Sequence, residues 1–287
     1  MKTYNEIYLD ARRRLRNGGI ERHDFEALQI VCASAGKNKE RLLRDFRMFA
    51  SDGSCELRTA EAVSRRVGGE PLAYILGEWE FYGITLAVSG EVLIPRVDTE
   101  ILAREGIRIA GAAGTGARVL DLCAGCGCVG LAIAANVKAC RVTLVENSPG
   151  ALELCKENVS RNGLTRGVVC VDADVRRNPP VMLGQYNLIV CNPPYIPSGD
   201  IDKLDYSVRA FEPRAALDGG ADGLDFFRAV VDLWAPLLRE GGSMAFECGA
   251  GQAGSVAGIM APRGFADICA LEDTAGTQRV VVGRLIR

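Results

Sequence analysis

The chain has 287 residues, 48% of them apolar and 24% charged, with 34 basic against 36 acidic side chains and a formal net charge of −2. This is the balance of a globular enzyme, long enough for one large α/β domain and a small second one, and it excludes disordered and fibrous chains. It offers no global field for nucleic acid or an anionic membrane, no run of about 20 apolar residues and no signal-peptide pattern in its charged first residues, so a cytoplasmic protein without membrane contact is expected.

Residues 1–75 predict a small helical bundle with four apolar stripes at helical spacing. They are Tyr4, Ile7, Tyr8, Ala11 and Leu15; then Phe25, Leu28, Val31, Cys32 and Ala35; then Leu42, Leu43, Phe46 and Phe49, closed by the turn Ser51-Asp52-Gly53; and Ala60, Val63 and Val67 before Gly68-Gly69. Such short helices need one another, or a partner, to bury those faces. Residues 76–97 read as a β-hairpin linker, with Trp79, Phe81, Ile84, Leu86 and Val88 around Gly83. In residues 98–287, Asp98 or Thr99 caps a helix to about Ala110, and Gly111–Gly116 form a joint.

Strands and helices then alternate. Strands are expected at 118–122, 141–145, 168–171, 186–191 and 243–247, and helices at 129–137, 151–161, 224–238 and 252–260. The order predicts a doubly wound parallel α/β sheet with helices on both faces. Strands at 266–271 and 279–285 have no helix between them and predict an antiparallel hairpin at one edge.

The 11 cysteines, an odd number, do not read as a secreted disulfide framework. Cys32, Cys140, Cys170, Cys191, Cys248 and Cys269 sit in apolar runs, as small buried hydrophobes do. Cys123, Cys126 and Cys128 cluster, but there is no second CxxC pair and the one histidine, His23, is remote, so no metal site is expected. His23 reads as a surface or helix-start residue. Chemistry built on a histidine base is all but excluded.

Two loops carry the chemistry. The first strand runs into Asp121-Leu-Cys-Ala-Gly-Cys-Gly127, a glycine turn that lets a ligand approach the backbone, and the next strand ends at Glu146, about 20 residues on, placed for a pair of ribose hydroxyls. This fits a nicotinamide or flavin dinucleotide as well as S-adenosylmethionine, although the full G-x-G-x-x-G spacing is missing. Strand 186–191 runs directly into Asn192-Pro193-Pro194-Tyr195. The two prolines stiffen the backbone and remove two donors, which leaves a row of acceptors, the Asn192 side-chain oxygen and the Pro193 carbonyl. Both can accept hydrogen bonds from a planar NH2 group, with the Tyr195 ring as a flat face beside it. An amide or aryl amine nitrogen is a poor nucleophile. Fixed acceptors stabilise the positive charge it gains in attacking a methyl sulfonium, and alignment supplies much of the remaining acceleration.

Asn192–Tyr195 is similar to the motif of amino methyltransferases. Over nearly its whole length the chain resembles the release-factor glutamine methyltransferases (PrmC/HemK). The shared segments are Gly69–Gly77, Glu80–Gly83, Leu93–Glu100, Asp121–Gly127, Asn192–Ile196, Glu212–Leu217, Asp222–Asp225 and Gln278–Val281. The resemblance implies a Rossmann-like S-adenosylmethionine methyltransferase domain that methylates the glutamine of the Gly-Gly-Gln motif in peptide chain release factors, releasing S-adenosylhomocysteine. By match of position, Cys123, Ala124, Gly125, Cys126 and Gly127 would wrap the methionine part of the cofactor, Glu146 the ribose, and Asp174 and Val175 the adenine. Asn192, which also borders the cofactor, would hold the glutamine amide with Pro193, Pro194 and Tyr195. The helical residues 1–75 would help dock the release factor. The family usually has Gly at the place of Cys123 and often an aromatic residue at that of Val175, and both departures bear on cofactor affinity. Arg96 and Glu212 match family positions without a role derivable from sequence.

Two competing readings remain open. One is an adenine N6 methyltransferase of nucleic acid, which the neutral chain and the lone Arg12-Arg13-Arg14 run speak against. The other is a non-catalytic S-adenosylmethionine-binding adaptor of translation, which the intact acceptor row speaks against. No oligomerisation signal is evident, so a monomer is expected.

Overall fold

A computed structural model describes residues 1–50 and 53–286. Its first compact unit is Met1–Glu78 together with Asp205–Phe211. The helices are α1 (Tyr4–Asn17), α2 (His23–Ala35), α3 (Lys39–Arg44), α4 (Ser54–Val67) and α5 (Leu72–Leu76). A capping box starts α1: the Glu6 backbone N–H donates to Thr3 Oγ1 and the Thr3 N–H donates back to Glu6 Oε2 at 2.7 Å. Tyr4, Ile7, Ala11 and Leu15 are buried, as their spacing predicts, with Tyr8 packed beside them.

The other stripes need correction. In α2 the buried face is Glu26, Ala27, Ile30, Val31 and Ser34, while Phe25 is 41% exposed with the Arg22 guanidinium over its ring. Polar pairing turns this helix: Arg66 of α4 donates to Glu26, so an acidic side chain takes an inward position that hydropathy assigns to its neighbours. Of the third stripe only Leu42 is buried, because α3 is a single short piece, and Leu43 and Phe49 face solvent. In α4 the inward residues are Cys55, Thr59 and Val63, and Val67 is exposed. Ser51 and Asp52 of the expected turn lie outside the described residues. Helix α5 was not expected.

The second unit begins at Trp79, omits Asp205–Phe211 and runs to the end of the described residues. Strands β1 (Glu78–Phe81) and β2 (Ile84–Ala87) form the hairpin around Tyr82-Gly83. There follow α6 (Thr99–Ala112), β3 (Arg118–Leu122), α7 (Cys128–Asn136), β4 (Arg141–Glu146), α8 (Pro149–Arg161), β5 (Val168–Asp172) and β6 (Tyr186–Cys191). After α9 (Tyr206–Phe211), which belongs to the first unit, come α10 (Asp225–Leu233), β7 (Leu238–Glu247), α11 (Ala253–Met260), β8 (Phe265–Glu272) and β9 (Gln278–Leu285). The sheet order is β5-β4-β3-β6-β7-β9-β8. Pairs from β5 to β7 are parallel, and β9 pairs antiparallel with both β7 and β8, which is the expected edge hairpin. This is the doubly wound α/β fold, with β4 and β5 on one side of β3 and β6 on the other. The switch point between β3 and β6 opens a crevice at their carboxyl ends.

Two boundaries differ from expectation. The helix predicted to run from Leu224 to Leu238 ends at Leu233; Pro236 sits in a 3-10 turn, and β7 begins at Leu238 and passes through Gly241-Gly242. The register against β6 slips between Tyr186 and Leu188, so the glycines mark an irregularity inside a strand instead of a helix stop. Asp98 stands at the N-cap of α6 without a capping bond, since it pairs with Arg279 at 3.2 Å. Among the cysteines read as buried, Cys269 is exposed and Cys32 and Cys170 are half-buried. The core gathers around Trp234, Tyr186, Phe227 and Phe246, the last two in edge contact at 5.3 Å.

Candidate active site

A cavity of about 570 Å³ opens at the switch point, within the second unit. That volume suits a nucleoside-sized ligand. Its wall contains Cys123, Ala124, Gly125 and Cys126 from the loop after β3, Glu146 at the end of β4, Asp174 and Val175 after β5, and Asn192 and Pro194 after β6. Register explains the convergence. Leu122 pairs with Val145 and with Cys191, so the residues that follow these three strands leave the sheet side by side.

The glycine loop is held from behind. Cys123 and Gly125 both sit at φ +56° and Gly127 at φ +85°, and a Cβ on Gly125 would meet nothing within 4 Å. The backbone at Gly125 is thus bare toward the cavity, as close approach of a ligand requires. Cys123 adopts a left-handed conformation that costs an L-residue roughly 1–2 kcal/mol. Burial and the neighbouring Cys123 raise the Cys191 thiol, and Cys126 and burial raise that of Cys128, so the three-cysteine cluster is divided between two neighbourhoods. At the start of α7, Gly130 is needed for close packing, because a Cβ there would collide with Leu144. Its N–H donates to Asp121 Oδ2 at 2.8 Å. Burial pushes the Asp121 carboxyl up to about 7.

Sequence reading missed Asn158. Fully buried on α8, it accepts from the Ala87 N–H at 2.6 Å and donates to the carbonyls of Ala87 and Cys126 at 3.0 Å, so it ties the hairpin to the glycine loop. A buried Asn inside an amphipathic helix gives no distinguishing signal until its partners are known.

Glu146 accepts from the Gly125 N–H on one oxygen and from the Asn147 and Ser148 N–H groups on the other, each at 2.9 Å. It therefore fixes the loop and also faces the cavity. Asp174 binds the Arg176 backbone and guanidinium, which hold its carboxyl below the usual carboxylate range. Val175 is buried, and its carbonyl accepts from Trp234 Nε1 at 2.8 Å. Phe226 lines this same end of the cavity with the Arg176 guanidinium 5.3 Å from its ring centre, and so brings an aromatic face where Val175 brings none. Only the tertiary fold carries that residue there, from about 50 positions downstream.

In the tetrapeptide, Asn192 and Pro194 reach the wall, whereas Pro193 is buried and Tyr195 packs on the core. Gln252 clamps the Tyr195 carbonyl at 2.9 Å, and burial pushes the Tyr195 phenol up. Gly127 likewise stands behind the wall, as the N-cap of α7. Asn192 Nδ2 lies 3.4 Å from Thr99 Oγ1. Arg96 and Glu212 prove to be partners: the Arg96 guanidinium pairs with Glu212, which is buried and also accepts from the Ile94 N–H. The pair braces the segment from Pro213 to Phe226, several of whose residues close the cavity.

The chain is similar to known proteins. Residues 6–77 match the family described as PrmC N-terminal domain and residues 106–208 the Methyltransferase small domain. A release factor glutamine methyltransferase of Geobacter sulfurreducens is 39% identical over 272 residues, which is 94% of this chain and 93% of that protein. The chain belongs to the release factor glutamine methyltransferase family. A second member, from Thermodesulfovibrio yellowstonii, is 34% identical over 90% of this chain and 91% of its own. Among solved structures the hMettl16 catalytic domain superposes with a TM-score of 0.58 at 14% identity, covering 81% of this chain and 82% of that one, which supports the methyltransferase fold. The bare glycine backbone, the acidic residue beside it and the size of the cavity fit the S-adenosylmethionine that such a fold uses.

Proposed function

We propose that this enzyme transfers a methyl group from S-adenosylmethionine to the side-chain amide nitrogen of the Gly-Gly-Gln glutamine in peptide chain release factors. The observation that carries the reading is the position of Asn192: on the cavity wall, next to the glycine loop, at the switch point. Bound along Cys123–Gly127, with Glu146 at the ribose and Asp174, Val175 and Phe226 at the adenine, the cofactor supplies an electrophilic methyl group. Asn192 Oδ1 and the Pro193 carbonyl accept from the two amide hydrogens of the glutamine, which turns its nitrogen toward the methyl and offsets the positive charge it gains. Pro194 and Tyr195 stiffen that acceptor row. In this reading residues 1–75 dock the release factor, 76–97 link, 98–287 carry the chemistry, and the enzyme works as a cytoplasmic monomer. None of the helices among the described residues is long and apolar enough to cross a membrane.

The test incubates the protein with methyl-labelled S-adenosylmethionine, a bacterial release factor and duplex DNA together, and locates the label by mass spectrometry. Label on the Gly-Gly-Gln glutamine is expected. Label on adenine would move the enzyme to nucleic acid, and no label despite cofactor binding would point to an adaptor. Asn192→Ala is expected to lower turnover by about 10²- to 10³-fold and leave cofactor binding nearly intact.

A further inference from the structure

Behind Asn192 lies an acid that no step above uses. Glu247 ends β7, one position beyond Phe246, which pairs with Cys191 of β6; Glu247 therefore stands beside Asn192. It is 3% exposed, and its Oε2 has no hydrogen-bond partner among the described residues. An unpartnered buried carboxyl oxygen is costly, and proteins retain few of them. Thr99 and Asn192 both stand against this carboxyl and favour its ionised form, and Asn192 Nδ2 donates to Thr99 Oγ1 at 3.4 Å. Resting on the reading of the preceding subsection, we infer that Glu247 is a positioning residue: its carboxylate holds the Asn192 amide nitrogen on the protein side, so that Oδ1 faces the substrate.

The donor inventory supports this. A carboxylate only accepts, so it demands Nδ2 from Asn192 and the proton of Thr99. Once protonated, it can donate to Thr99 Oγ1 or to Asn192 Oδ1, and the second option permits the flipped amide, with NH2 facing another NH2. The carboxylate also sits behind the acceptor row where positive charge develops, an added reason for the ionised form to be the active one. Its surroundings leave that form accessible near neutrality. Burial raises the carboxyl to about 7, with Asp98 adding to the rise and Arg279, Thr99 and Asn192 opposing it. Arg279 is shared with Asp98 and Asp273, so it compensates Glu247 only in part. The other titratable groups that feel Glu247 are the Tyr195 phenol and the Cys248 thiol, both raised mainly by burial, and the Cys128 thiol, raised mainly by Cys126; Glu247 adds to each rise.

The test is the pH profile of kcat for methyl transfer to a release factor, at saturating cofactor and release factor, for the wild-type chain and Glu247→Gln. Wild-type kcat is expected to rise with pH and level off above about 7. Glu247→Gln is expected to lose that step and to lie about 10- to 100-fold lower on the plateau, with the dissociation constant for S-adenosylmethionine unchanged. A flat wild-type profile overturns the inference even if the variant does not fold. So does a variant that keeps the step or the wild-type plateau, or one that loses cofactor binding together with activity. Wild-type protein that binds cofactor but never methylates a release factor overturns the preceding reading and this inference with it.

Discussion

Asp121→Asn isolates the energetic consequence of burying an acid at the end of the first parallel strand. The side chain is 1% exposed and accepts from the Gly130 N–H at 2.8 Å, a bond that an amide oxygen can also accept. Burial carries the carboxyl from 3.8 up to about 7, which is about 4 kcal/mol of differential stability. The sign follows from the raised folded value. The contribution is fully present below the unfolded pKa of 3.8 and is lost as pH rises to about 7, because the unfolded chain gives up this proton first. Asparagine mimics the neutral acid at every pH. Asp121→Asn should therefore become more stable relative to wild type by about 3 kcal/mol between pH 5 and pH 8, and the two should converge below pH 4. Urea unfolding of both proteins without cofactor at four pH values measures the difference, and the carboxylates held low by ion pairs cancel in it. A stability difference that stays constant over that range would refute the assignment of burial as the dominant effect.

Two further outcomes follow from the cavity wall. Cys123→Gly should relieve a left-handed strain of about 1–2 kcal/mol, offset by about 0.5–1 kcal/mol of extra chain entropy, for a small net gain in unfolding free energy; calorimetric titration should show S-adenosylmethionine binding at least as tightly as in wild type. Phe226→Ala removes the aromatic face at the Asp174–Arg176 end of the cavity, and base–aromatic stacking of about 1–3 kcal/mol predicts a rise of roughly 5- to 150-fold in the cofactor dissociation constant. The same titration with adenosine alone should show a similar loss, and an unchanged constant would separate Phe226 from adenine binding.

Much of this protein was legible in the chain. Period-two and period-3.6 patterning located the seven sheet strands and most of the helices around them, because parallel strands buried on both faces read as continuous apolar runs. The glycine loop and Asn192–Tyr195 stand out in the sequence because glycine turns and paired prolines at strand ends follow backbone rules that act locally. What the sequence could not decide was set by contacts between distant positions. The inward face of α2 turned on the pairing of Glu26 with Arg66, the end of α10 on where β7 begins to pair, and the bracing of the cavity on Arg96 with Glu212. Asn158, Phe226 and Glu247 carry no local signature. Each acquires its place from partners between about 30 and 150 residues away, and only close packing of the folded chain brings them within reach.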